Sequence, residues 1–156
     1  MMREDDGMEE KPIVSLPLEG PVRERVDGRR GDPRDLLLRD LGRYDALLRW
    51  AWKSLEGIFD RDEILLLCDA LRNARYDPKR FDRWPSFLAW DLEEVEKYEK
   101  LGTHRGIDVE YLSEKVEKMN PLQALCLIDR IEVFWTRMEG GAGDDKAMEE
   151  TFGKGA

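Results

Sequence analysis

Apolar residues recur along this chain at steps of three and four, the spacing that lines one face of an α-helix, and no stretch alternates convincingly like a strand. Five stretches hold the rhythm long enough to predict helices. The fullest is Asn120 to Met138, where Asn120 is placed to cap, Pro121 suits the first turn and Gln123 can reach back to Asn120. Ala124, Leu127, Ile128, Ile131, Phe134, Trp135 and Met138 share one broad face. A helix apolar this far round needs neighbours on several sides, so it is expected at the centre of a bundle. Replacing Phe134 or Trp135 with alanine is accordingly expected to cost about 3–5 kcal/mol.

The other four helices are more one-sided. Asp32-Pro33 opens one that runs to Leu55, with Leu37, Leu41, Tyr44, Leu48, Ala51 and Leu55 inward, Trp52 beside them, and Asp35–Arg39 and Asp45–Arg49 as outer pairs. Asp60 and Glu63 form a capping box ahead of a helix whose inner face is Ile64, Leu67, Cys68 and Leu71. Tyr76-Asp77-Pro78 breaks the chain, and 79–86 reads as a loop or short turn. A helix from Pro85 to Leu101 turns Leu88, Leu92, Val95 and Tyr98 inward, with Glu93–Lys97 and Glu96–Lys100 pairs outside, and Gly102 ends it. Asp108 then caps a short helix to Met119, with Leu112, Val116 and Met119 inward. The expected fold is all-α: a single bundle of about five helices over 32–139. Flanking it are a disordered or extended arm over 1–31, in which Ile13, Val14, Leu16 and Leu18 could dock, and a disordered Gly-rich acidic tail over 140–156.

Charged residues make up 39% of the 156 and hydrophobic ones 41%, which supports a core because the apolar positions are gathered into faces. No stretch is long and apolar enough to cross a bilayer, and the acidic start lacks the regions of a secretion signal; a cytoplasmic protein with no membrane contact is expected. The net charge of −9 works against whole-surface attraction to nucleic acid. Residues 21–53 run the other way, with nine Lys or Arg against six Asp or Glu.

The segment at Asp60 can be laid over the one at Asn120 so that caps, leucines and Asp69 with Asp129 coincide, which a pair of related core helices or the common grammar of capped helices would each explain. The order of a capped helix with Cys-Asp-Ala-Leu, an acidic helix, Gly-Ile-Asp-Val before a short helix, and Asn-Pro-Leu-Gln before a helix with Phe-Trp near its end resembles short uncharacterised all-helical bacterial proteins of plasmid or phage-like elements. That resemblance covers roughly 58–135 and implies a helical fold and a mobile-element setting. It carries no catalytic residue.

Chemistry is sparsely signalled. Cys68 and Cys126 lie among leucines and read as reduced core thiols; with a single histidine, no metal site or cofactor is expected. Asp69 and Asp129 are the one carboxylate pair worth placing in space, though polar neighbours mark them as solvated or salt-bridged. His104 sits in the glycine-bounded loop Gly-Thr-His-Arg-Gly without a nucleophile beside it. No catalytic motif is present, and the protein is read as non-enzymatic, acting by binding another protein in a regulatory or accessory role. The candidate interaction residues are Arg39, Arg43 and Arg49 of the Arg-rich segment and the tryptophans Trp50, Trp84 and Trp90, which exceed what the inner faces need. The alternatives are nucleic-acid association through 21–53, and an acidic mimic that blocks a DNA-binding protein through the carboxylates of Asp91–Glu99. The partner is unidentified, and a second copy of the chain is one candidate.

Overall fold

The computed structural model describes residues 17, 19–75 and 77–153. Within them the chain is all-helical, with no strand and eight α-helices: α1 (Gly20–Val26), α2 (Pro33–Leu55), α3 (Arg61–Ala70), α4 (Trp84–Glu99), α5 (Leu101–Arg105), α6 (Val109–Glu117), α7 (Pro121–Glu139) and α8 (Asp144–Phe152), with a 3-10 turn at Pro78–Arg83. The five helices read from periodicity are α2, α3, α4, α6 and α7. The count of about five is thus corrected by three short additions: α1 and α5, of seven and five residues, are too brief to show a helical repeat, and α8 lies in a stretch whose composition reads as a tail.

Both capping boxes form as spelled. Asp60 accepts from the Glu63 N–H at 2.8 Å while Glu63 accepts from the Asp60 N–H at 2.9 Å; Asn120 and Gln123 do the same at 2.8 and 2.9 Å. Asp108 caps α6 through the Tyr111 N–H, and Asp32 accepts from the Arg34 N–H at the start of α2. Each satisfies donors that helix geometry leaves open.

The chain divides into two compact units, 1–43 and 44–156, where a single domain over 32–139 was expected. In the first, α1 is helical in place of the expected extended arm. Arg25 and Arg29 both hold Asp40 of α2, at 2.9 and 3.0 Å for the Arg25 Nη2 and Arg29 Nη1 contacts. The Arg25 hydrogen bond, backed by Arg29, keeps the Asp40 carboxyl well below the usual aspartate range. Val26 and Leu36 are the buried apolar residues of this unit among those described. Ile13, Val14, Leu16 and Leu18 lie outside the described residues.

The second unit holds the main core. α4 makes its most extensive pairing with α6, and α7 packs against α3, α4, α8 and the 3-10 turn, as its broad apolar girth requires. Leu88, Leu92, Leu112, Val116, Ala124, Leu127 and Ile131 are buried together, and Cys68 and Cys126 are free, buried thiols. Trp135 is half-buried, its Nε1–H donating to the Cys68 carbonyl at 2.8 Å with the Arg72 guanidinium 3.9 Å over its ring. Glu63, which is buried, also receives Lys115 Nζ at 2.9 and 3.0 Å, which ties α3 to α6 with its charge compensated.

Residues 144–152 correct the expected tail. α8 buries Ala147, Met148, Thr151 and Phe152; the Phe152 ring lies 5.2 Å from Trp52 and 6.2 Å from Phe134. Arg130 donates to the Thr151 carbonyl at 2.5 Å and Arg137 to the Thr151 hydroxyl at 2.6 Å.

Candidate interaction face

The outer side of α4 carries large aromatic side chains that a solvated helix face does not call for, and α2 likewise leaves Leu38, Leu41, Leu47 and Trp50 exposed. At 100° per residue Phe87, Asp91, Glu94 and Tyr98 fall within about 60° of one another, with Trp90 and Val95 at the flanks. The opposite side, Leu88, Ala89 and Leu92, is sunk in the core. Trp90 is 60% exposed and Tyr98 is 75% exposed, which corrects the inward placement expected of Tyr98. Three aromatic side chains therefore share the solvent side of one four-turn helix, where isolated apolar residues would be unremarkable.

The 3-10 turn sets the edge of this face. Asp77 caps it by accepting from the Lys79 N–H, and the turn carries Arg80 4.6 Å and Arg83 5.6 Å over the Phe87 ring. Arg80 also faces Asp77 at 3.4 Å. Two hollows open along α4 and share Asp91 as a common wall. One, of about 490 Å³, is lined by Arg80, Phe87, Trp90 and Asp91; the other, of about 290 Å³, lies against Ala70, Leu71, Ala74, Glu94 and Val95. Burial raises the Asp91 carboxyl above its ordinary value, and Arg80 offsets part of that.

The carboxylates of α4 have separate duties. Glu93 accepts from the Ser113 hydroxyl, and Glu96 accepts from the Gly102 N–H at 2.7 Å, the Thr103 N–H at 3.1 Å and the Thr103 hydroxyl at 2.7 Å. Burial alone would raise the Glu96 carboxyl, but these bonds, with Lys100 near, hold it below its usual value. Glu96 thereby serves α5 instead of forming the outer pair expected with Lys100. Lys100 turns left-handed at φ 53° between the two helices, so the helix stops one residue before it. Asp91 and Glu94 accept no hydrogen bond among the described residues.

The other expected residues are spread out. Trp84 is only 4% exposed and belongs to the core, which removes it from the candidate interaction residues, while Trp50 on α2 is 61% exposed. Arg39, Arg43 and Arg49 are all exposed. Arg49 is paired with Asp45 at 2.8 Å. Leu41 and Tyr44, expected inside, are exposed, whereas Leu48, Ala51, Trp52 and Leu55 are buried as expected. Asp69 is ion-paired with Arg105, whereas Asp129 lines a separate groove of about 360 Å³ with Asp45, Arg49, Arg130 and Glu150. Burial raises the Asp129 carboxyl; Arg130 lowers it in part, and Glu132 and Asp45 raise it further. His104 is exposed on α5, not in a loop.

Phe87 and the basic run before it are not among the residues that the sequence singles out. Arg72, Arg75, Lys79, Arg80 and Arg83 outnumber Asp77 and Asp82 between 72 and 83. The signal was there: Phe87, Trp90 and Tyr98 recur at three and eight residues on the side opposite Leu88 and Leu92. No family model matches the chain, nor does any curated protein or solved structure. No helix among the described residues is long and apolar enough to cross a membrane.

Proposed function

We propose that this protein works as an accessory module that docks another protein on the outer face of α4. The observation that carries this reading is the joint exposure of Trp90 and Tyr98 on the side that holds Phe87, with one hollow walled by Phe87 and Trp90 and a second beside Glu94 and Val95. Aromatic residues that remain in water on a folded chain supply most of their binding free energy when a partner covers them. The setting inferred from the resemblance to short bacterial mobile-element proteins remains part of this proposal.

A photoreactive side chain at Lys97, on the flank of the face, tests it. In extracts of cells that make the protein, the expected result is a discrete adduct with another protein, absent when the same group stands at Glu149 of α8 and lost in Trp90→Ala. The same adducts from both positions, or adducts indifferent to Trp90→Ala, would overturn the reading.

Nucleic-acid association is the second reading, favoured by Arg39 and Arg43, which stand exposed one turn apart on α2. It is weakened because Arg25 and Arg29 are engaged by Asp40, and Arg49 by Asp45. The acidic-mimic reading has less support still, since Glu93 and Glu96 are turned to bonds within the fold and aromatic rings interrupt the remaining carboxylates.

A further inference from the structure

We infer that the occupant of the α4 face is a basic amphipathic helix from a different chain, its apolar seam over Phe87, Trp90 and Tyr98 and its cationic side chains at Asp91 and Glu94. The inference rests on the reading of α4 as a docking surface and adds the chemistry of what docks there. Its first support is charge. α4 carries five acidic residues against one lysine. Glu93 and Glu96 are engaged within the fold, whereas Asp91 and Glu94 face outward with no hydrogen bond among the described residues. Arg80, which acts on the Asp91 carboxylate, already faces Asp77 and lies over Phe87, and it offsets only part of the effect of burial on Asp91. Covering such carboxylates with apolar groups alone would desolvate them without compensation, which is costly; covering them with lysine or arginine is not.

Shape is the second support. The two hollows sit on either side of Asp91, and the stretch from Phe87 to Tyr98 extends about 16 Å along the helix axis. A partner helix presents side chains at i, i+3 or i+4, i+7 and i+11 over the same length, so its apolar residues can enter both hollows while its basic residues reach Asp91 and Glu94. A second copy of this chain fits poorly. An antiparallel pairing of two α4 helices centred on the face would set Asp91 of each against Glu94 of the other, and like charges one turn apart repel. Phosphate-bearing partners meet the same two carboxylates.

The test uses the full chain and two synthetic helical peptides of roughly 18 residues. Both share a leucine and alanine seam; one carries lysine on the flanks of the seam and the other glutamate. Titration followed by calorimetry should show binding of the lysine peptide, weakening with salt, and none of the glutamate peptide. Asp91→Asn with Glu94→Gln should weaken the lysine peptide by about tenfold, and Trp90→Ala by as much. Asp144→Asn with Glu149→Gln removes the same charge from exposed positions on α8 and should change it by under about twofold. Circular dichroism of each variant keeps misfolding separate from lost binding. Equal affinity for the two peptides, no binding of the lysine peptide, or equal weakening by the α8 neutralisation would overturn the basic-partner inference. The docking-face reading falls with it only if peptide binding is indifferent to Trp90→Ala.

Discussion

A Cβ on Gly102 would drive into the Val109 side chain and crowd the Ile107 carbonyl and Glu96 Oε1, each 3.2 Å away. Two of these three neighbours are rigid or braced, so the clash cannot be relieved by a flexible tip. Gly102→Ala should therefore destabilise the fold by about 1–3 kcal/mol in chemical denaturation, and an unchanged midpoint would contradict so close a crossing of α5 and α6. Asp129 supplies the residue-scale test of electrostatics. Its carboxyl is raised in the folded state, first by burial, so the stability it contributes is fully present below the ordinary aspartate value and is lost as pH rises through the elevated one. Asp129→Asn should thus be more stable than the parent at neutral pH, with the gap closing on acidification below the ordinary aspartate range. Melting temperatures across that range would decide it, and a variant less stable at pH 7 would show that Arg130 outweighs burial.

Among the elements, α8 changes the picture most. Gly, Asp and Glu dominate its surroundings, and that composition reads as a tail. Yet Ala147, Met148, Thr151 and Phe152 sit at steps that place them on one helical face, and the acidic pair Asp144 and Asp145 suits the first turn of a helix. Nine residues are too few to be helical alone; they become so because Trp52 and Phe134 offer a surface for Phe152 and because Arg130 and Arg137 take Thr151. Phe152→Ala should cost about 3–5 kcal/mol, measured by denaturant titration, where a disordered tail would register almost nothing. α4 makes the complementary point. Its inner face is legible in Leu88 and Leu92, but Tyr98, an aromatic at helical spacing that would ordinarily pack inward, is exposed because the core ends before reaching it.

At the scale of the molecule, buried apolar residues are distributed unevenly between the two units. Val26 and Leu36 are the only buried hydrophobic residues before Tyr44 among those described; the rest lie in 44–156. A fragment spanning 44–156 should accordingly keep a helical circular dichroism spectrum and unfold in a single cooperative transition. A broad, non-cooperative melt would mean that residues before Tyr44 are needed for the core. The chain's own residues, taken locally, determined its helical class, the two capping boxes and the inner faces of α3, α6 and α7, because each of these is settled within one or two turns of backbone. Only tertiary packing decided that Trp84 is covered while Trp90 and Trp50 are not, that Glu96 serves α5, and that α8 forms at all. Burial is a property of the space left by distant segments, and a residue's type fixes what it loses in water without fixing whether a neighbour arrives to exclude it.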